Sequence, residues 1–180
     1  MGSISTEEEV LYRIAPLTVY DNVSLSWLTA ITHAGMGNPE WLRSVTPVKL
    51  DRLLREQYIY GIREDKDHAL AGAVVLCDGT DPEYDLSKYV AGREPAASPV
   101  RALVVKTVWV RPDRQGQGLC SLLLGRAREH ATENGFSLMS CTIHENNTAS
   151  MRAFTRNGFT VVCSAETVYG PRQILESIVT

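Results

Sequence analysis

The sequence has no apolar run approaching 18 residues, so it offers no helix able to span a bilayer. It has no basic excess. Eighteen lysines and arginines stand against 21 acidic residues, a formal net charge of −3. That balance argues against a general nucleic-acid binder. Cysteine is scarce. Cys77, Cys120, Cys141 and Cys163 form no C-x-x-C pair, and no secretory segment opens the chain. This argues against a zinc site or disulfide framework and for reduced thiols in a cytoplasmic protein, with no metal. Internal repeats and low-complexity tracts are lacking too.

What is present fits a globular fold. Hydrophobic residues make up 44% and charged residues 22%. At about 150 residues per domain, 180 residues make roughly one domain. Such a chain buries about two-thirds of its unfolded surface. The expected layout is a flexible leader over 1–9 and a single domain over 10–180. The leader formally matches a myristoylation pattern through Gly2 and Thr6. Glu7, Glu8 and Glu9 follow where a second, basic membrane signal would be needed, so no stable membrane association is expected. No targeting tail is read at the C-terminus, and homodimerisation is left open.

Along the chain, 10–17 reads as a strand and 25–32 as a helix. Thr46-Pro47 reads as an N-cap with proline in the first turn, opening a helix with Leu50, Leu53 and Leu54 inward. Strands over 58–63 and 68–76 flank a turn at 64–67 and form a hairpin. The stretch 77–99 is loop chemistry, a candidate lid or acceptor-binding segment, or a tolerated surface insertion. The apolar run over 100–110 predicts a strand buried on both faces. A helix over 119–132 follows, with Leu119, Leu122, Leu123, Arg126, Ala127 and Ala131 near one face. Next come a strand over 136–143, a helix over 147–156, and short strands over 159–163 and 167–169. The order is β-α-α-β-β-β-α-β-α-β-β, a mixed α/β sheet.

The chemistry concentrates in Val108-Trp109-Val110-Arg111-Pro112-Asp113-Arg114-Gln115-Gly116-Gln117-Gly118-Leu119-Cys120-Ser121. A buried strand enters a turn with two glycines, and a helix starts at once. Glycine lets a ligand approach the main chain. The first helical turn has unpaired N–H donors and a partial positive charge, which together suit a phosphate or pyrophosphate. Arg114, Gln115 and Gln117 offer further donors. No Gly-Lys-Ser/Thr follows, so this is not a Walker loop, and Ser121 stands where a dinucleotide fingerprint needs its third glycine.

This loop resembles that of the GNAT acyltransferase superfamily, Gln/Arg-x-x-Gly-x-Gly/Ala, with Cys120 in the last small position. The downstream run Asn147-Thr148-Ala149-Ser150-Met151-Arg152-Ala153-Phe154-Thr155-Arg156-Asn157-Gly158-Phe159 resembles the second family motif, in family order. The resemblance covers about residues 100–160. It implies a GNAT-like fold: a central, mostly antiparallel sheet flanked by helices and splayed between its fourth and fifth strands, with acetyl-CoA or another acyl-CoA in the splay. Val108, Trp109 and Val110 would line the pantetheine arm, with main-chain bonds from Val108 and Val110. The main chain of Gln115, Gly116, Gln117, Gly118, Leu119, Cys120 and Ser121 would hold the pyrophosphate. Asn147 would contact the pantetheine region or cap the following helix, or both, and Phe154 would sit on the cofactor side. Arg152 and Arg156 are candidates for the 3′-phosphate, or simply solvated.

The family's usual catalytic residues are not kept. Many members carry a Glu on the fourth strand, and 101–110 has no carboxylate. Many use a Tyr where this chain has Phe154. Replacement candidates are His144, able to act as acid or base, Glu145, and Tyr169 as a proton donor; Tyr58 and Tyr60 are candidates for lining an acceptor pocket. Cys120 opens a helix, where a thiol can become reactive, or is a tolerated small residue. The expected activity is direct acetyl transfer from acetyl-CoA to a small-molecule amine. The alternative is an acyl-CoA-binding protein with altered chemistry (hydroxyl acylation, hydrolysis, decarboxylation) or none.

Overall fold

The computed structural model describes residues 12–66, 68–90 and 100–180. The leader over 1–9 with its lipidation pattern, Asp67 of the expected turn, and 91–99 of the candidate lid lie outside the described residues.

The element order is β1 (Tyr12–Pro16), α1 (Asn22–Ala34), α2 (Pro47–Glu56), β2 (Tyr58–Glu64), β3 (Leu70–Asp78), β4 (Ala102–Val110), α3 (Leu119–Glu133), β5 (Leu138–Ile143), α4 (Thr148–Arg156), β6 (Thr160–Thr167) and β7 (Gly170–Ile178). Among the described residues the strands form one sheet, ordered β1-β2-β3-β4-β5-β7-β6. The β4–β5 pair is parallel; the others are antiparallel. This is the mixed α/β sheet expected from the element order, mostly antiparallel as the resemblance implies.

Local chemistry accounts for several boundaries. Thr46 caps α2, its hydroxyl accepting from the Lys49 N–H at 3.3 Å, and Pro47 occupies the first turn. Gly135 has φ of 69°, so the chain can leave α3 through a left-handed residue. Strand β3 is buried at nearly every position because helices cover both sheet faces.

Two cores result. One lies under α3 and α4 and holds Leu103, Val105, Leu123, Met139, Cys141, Phe154 and Leu175. The other lies under α1 and α2 and holds Leu25, Leu28, Leu50, Val75, Val104 and Trp109.

Three expectations are corrected. Residues Val168 and Tyr169 belong to the β6–β7 turn, not to a strand, and the last strand runs Gly170–Ile178. Positive φ at Gly170 (85°) makes that turn, and the valine and tyrosine beside it mimic strand composition. The inward face of α3 is Leu119, Leu123, Leu124, Ala127, His130 and Ala131, while Leu122 is half exposed. The i, i+4 row from Leu119 sets that phase, and the adjacent leucines hid it. Strand β4 is only partly buried at Lys106, Thr107 and Val108, although its run reads as a core strand. The splay described below exposes that edge.

Candidate active site

Strands β4 and β5 pair at only three positions, Ala102↔Leu138, Leu103↔Met139 and Val104↔Ser140. Beyond them β4 stays with β3 as far as Val110↔Gly72, and β5 stays with β7 as far as Ile143↔Gln173. The sheet therefore opens into a V. An irregularity in β4 at this level, opposite Val75/Leu76, bends the strand, as a bulge does.

The open edge of β4 follows from alternation. The Arg111 N–H donates to Ala71 O on β3 at 2.8 Å. Successive residues turn their main-chain groups to opposite edges, so those of Val110 and Val108 face the V. Trp109 turns its main chain toward β3 and buries its ring under α1 and α2 at 1% exposure. It supports the edge without facing the opening.

At the end of β4 the chain turns into α3. Gly116 and Gly118 have φ of 78° and 82°, and a Cβ on either would meet nothing within 4 Å. The main chain is thus open to an approaching ligand. Leu119, Cys120 and Ser121 form the first turn of α3, whose N–H groups lack intrahelical acceptors. Open main chain and positive helix end together fit a pyrophosphate. The side chain of Leu119 enters the core.

The polar side chains of this loop hold the loop itself. Glu64 is buried and its Oε1 accepts from Arg111 Nη2 at 2.6 Å and from Arg114 Nε at 2.7 Å. Asp113 accepts from Arg111 Nε at 2.7 Å and Arg114 Nη1 at 3.0 Å. Desolvation opposes ionisation of Asp113, but the hydrogen bond and charge of Arg111, with Arg114, outweigh it and lower its pKa. The Gln115 amide donates to Val110 O at 3.3 Å. Gln117 accepts from the Tyr12 hydroxyl at 2.9 Å and donates to Asp113 O at 3.4 Å. Arg114, Gln115 and Gln117, expected to offer donors to a phosphate, instead fix the turn.

Cys120 does not have the character of an activated thiol. Burial pushes its pKa up to about 11, against the pull of the helix end. Ser121 accepts from Asn157 Nδ2 at 3.0 Å, tying the start of α3 to the end of α4. Asn147 caps α4, its Oδ1 accepting from the Ser150 N–H at 3.1 Å. Phe154 packs edge-to-face on Phe159, with ring centroids 5.1 Å apart. A phenyl ring has no proton to donate.

The catalytic candidates sit just past the end of β5 and in the β6–β7 turn. His144 is buried just past β5, and its Nδ1 accepts from the Asn146 N–H at 3.1 Å. That bond assigns the proton of the neutral ring to Nε2. Glu145 is exposed and borders a shallow depression of about 230 Å3 beside Glu166 and Arg172. Tyr169 sits in the β6–β7 turn under the guanidinium of Arg43, 5.0 Å from the ring centroid. Arg152 and Arg156 are exposed on α4. The Tyr60 hydroxyl bonds His130, near the far end of α3, and the Tyr58 ring meets the same imidazole at a tilt, centroids 4.4 Å apart.

Several contributors came from distant sequence. A Cβ at Gly35 would lie 2.7 Å from Pro112 Cγ, so the end of α1 touches the end of β4. Farther along the same connection, Glu40 O accepts from Arg172 and Arg43 donates to Val168 O. The α1–α2 connection therefore crosses the mouth of the V. Nothing local marks Glu64, Arg43 or Arg172 as partners, because each contact depends on chain pairing. A larger depression, about 700 Å3, is lined by Arg128, Asn157, Gly158 and Thr160 and holds none of the candidates.

The sequence profile described as Acetyltransferase (GNAT) family matches residues 25–159. A search of curated protein sequences finds no match. Solved structures share the fold. An N-acetyltransferase from Staphylococcus aureus Mu50 superposes with a TM-score of 0.73 at 14% identity, covering 94% of this chain and 98% of that one. A protein from Salmonella typhimurium, solved with its cofactor acetyl-CoA, gives 0.68 at 20% identity, covering 94% of both chains. An N-acetyltransferase from Thermoplasma acidophilum in complex with coenzyme A gives 0.66 at 16% identity, covering 93% and 99%. With the profile spanning most of its length and the splayed sheet in place, the chain belongs to the GNAT acetyltransferase family, whose reaction is acyl-CoA-dependent acetyl transfer.

Proposed function

We propose that this protein transfers an acetyl group from acetyl-CoA directly to the amine of a small molecule. The open β4 edge at Val108 and Val110, leading to the Gly116–Gly118 turn and the first turn of α3, carries this reading. The main chain of Val108 and Val110 would bond the pantetheine arm, and the N–H groups from Gln115 to Ser121 the pyrophosphate. Asn147 keeps its amide nitrogen for the same ligand while its oxygen caps α4. The thiols of Cys77, Cys120, Cys141 and Cys163 are unpaired, which supports work in the reducing cytoplasm.

The neutral amine attacks the thioester carbonyl in the V, which the Val110 N–H, facing the opening, would polarise. The carbon–sulfur bond then breaks, the amine loses a proton, and the departing thiolate gains one. His144 offers its Nε2–H as a donor rather than as a base, given its Nδ1 bond. No carboxylate on β4 removes the proton, so positioning supplies much of the rate.

Phe154 and the missing β4 carboxylate favour one other reading, acyl-CoA binding with altered chemistry. The test is a calorimetric titration with acetyl-CoA and with CoA, followed by an amine panel scored for acetylated product. Saturable acetyl-CoA binding with amine-dependent turnover supports the proposal. Free CoA appearing without any amine favours the second reading, and no binding to either ligand overturns both.

A further inference from the structure

Two guanidinium groups hold the connection across the mouth of the V. Arg172 is 7% exposed, yet among the described residues its hydrogen bonds go only to carbonyls, Nη1 to Pro171 O and Nη2 to Glu40 O, both at 2.9 Å. Arg43 donates to Val168 O at 3.3 Å and lies over the Tyr169 ring. Among the described residues no carboxylate lies within 4.0 Å of either. Burial, then the like charge of Arg43, weaken the protonation of Arg172, while Glu40 and Glu166 favour it from farther away. On the same sheet face, Lys106 of β4 lies over Tyr84 at 4.7 Å and makes no ion pair among the described residues. Next to Glu40, the Trp41 Nε1–H is buried with no acceptor among the described residues.

A buried cation without a counter-ion is costly. An arginine has five N–H donors, and Arg172 spends two on carbonyls that hold it in place. A planar carboxylate is the group that fits the remaining fork best. We infer that Arg172, with Arg43 beside it, receives the carboxylate of an acceptor that carries both a carboxylate and the reacting amine. The inference rests on the N-acetyl transfer proposed above and names its substrate class.

The experiment uses the full chain with acetyl-CoA and a panel of α- and ω-amino acids, each paired with its primary amide. The expected result is a kcat/KM at least tenfold higher for acids than for amides. Arg43→Ala should cut that ratio at least tenfold, mainly through KM of the acids, and Arg43→Lys should restore part of it. Arg172→Gln should act in the same direction, but Arg43 is exposed, so its variants test the site even if Arg172→Gln fails to fold. Equal use of acids and amides, or a ratio indifferent to Arg43, overturns the carboxylate site. So does acetyl-CoA binding with neither acid nor amide acetylated. Failure of the wild-type chain to bind acetyl-CoA is separate, since it overturns the transferase reading beneath this one.

Discussion

Glu64 on β2 accepts from Arg111 at the end of β4 at 2.6 Å, with the two side chains 8% and 10% exposed. The same carboxylate takes Arg114, so one buried acid fixes both arginines of the turn that ends at the cradle. Asp113 still pairs with both arginines when Glu64 is removed, so the loss is of buried charge-assisted hydrogen bonds rather than of all compensation. Glu64→Gln should cost about 1–3 kcal/mol by urea unfolding. It should also weaken acetyl-CoA binding, because the turn loses its anchor. A variant as stable as wild type would show that the pair contributes nothing net.

Gly118 has φ of 82° with open space beside its Cα. Gly118→Trp should cost about 1–2 kcal/mol in left-handed strain and lower acetyl-CoA affinity at least tenfold by filling the cradle. Gly118→Asn, which tolerates that conformation better, separates strain from bulk. Calorimetry showing wild-type affinity in the tryptophan variant would place the nucleotide elsewhere.

Gly125 lies on the exposed face of α3, and a Cβ there would meet nothing within 4 Å. Gly125→Ala should therefore stabilise the fold by about 0.5–1 kcal/mol. A higher melting temperature checks this, and a lower one would mean that the helix is crowded at that point.

Cys120, with its thiol pushed up to about 11, should resist alkylation. At pH 8 only about one molecule in a thousand would carry the thiolate. Iodoacetamide labelling followed by peptide mass analysis should leave Cys120 unmodified in the folded chain and label it in urea. Rapid labelling of the native protein would revive the activated-thiol reading.

Burial, then the charge of Arg126, push the His130 pKa below its ordinary value, and Glu133 only partly opposes them. The unfolded chain then binds the proton more readily. The resulting stability is present above the unfolded value, near 6.5, and is lost progressively as pH falls from there to the folded value. Urea unfolding at pH 7.5 and 5.5 should show the decline, and His130→Gln should flatten it. An unchanged slope in the variant would assign the pH dependence to other groups.

Neighbours in sequence made much of this protein legible. Thr46-Pro47 announces α2 because a cap and its proline act within one turn. Gln115-Gly116-Gln117-Gly118 announces the cradle because positive φ and a helix start are local properties. The order of strands and helices follows from hydrophobic period in the same way. Tertiary structure alone decided what those local features serve. Arg114 reads as a phosphate donor until β2 brings Glu64 to it across 50 positions. Tyr169 reads as strand until the β6–β7 register leaves it in a turn under Arg43. Arg172 meets Glu40 across 132 positions, and only because α1 ends against Pro112 and its connection must cross the V. Main-chain conformation is set largely by adjacent residues, whereas the partners of a charged side chain are set by whichever distant strand the fold lays beside it.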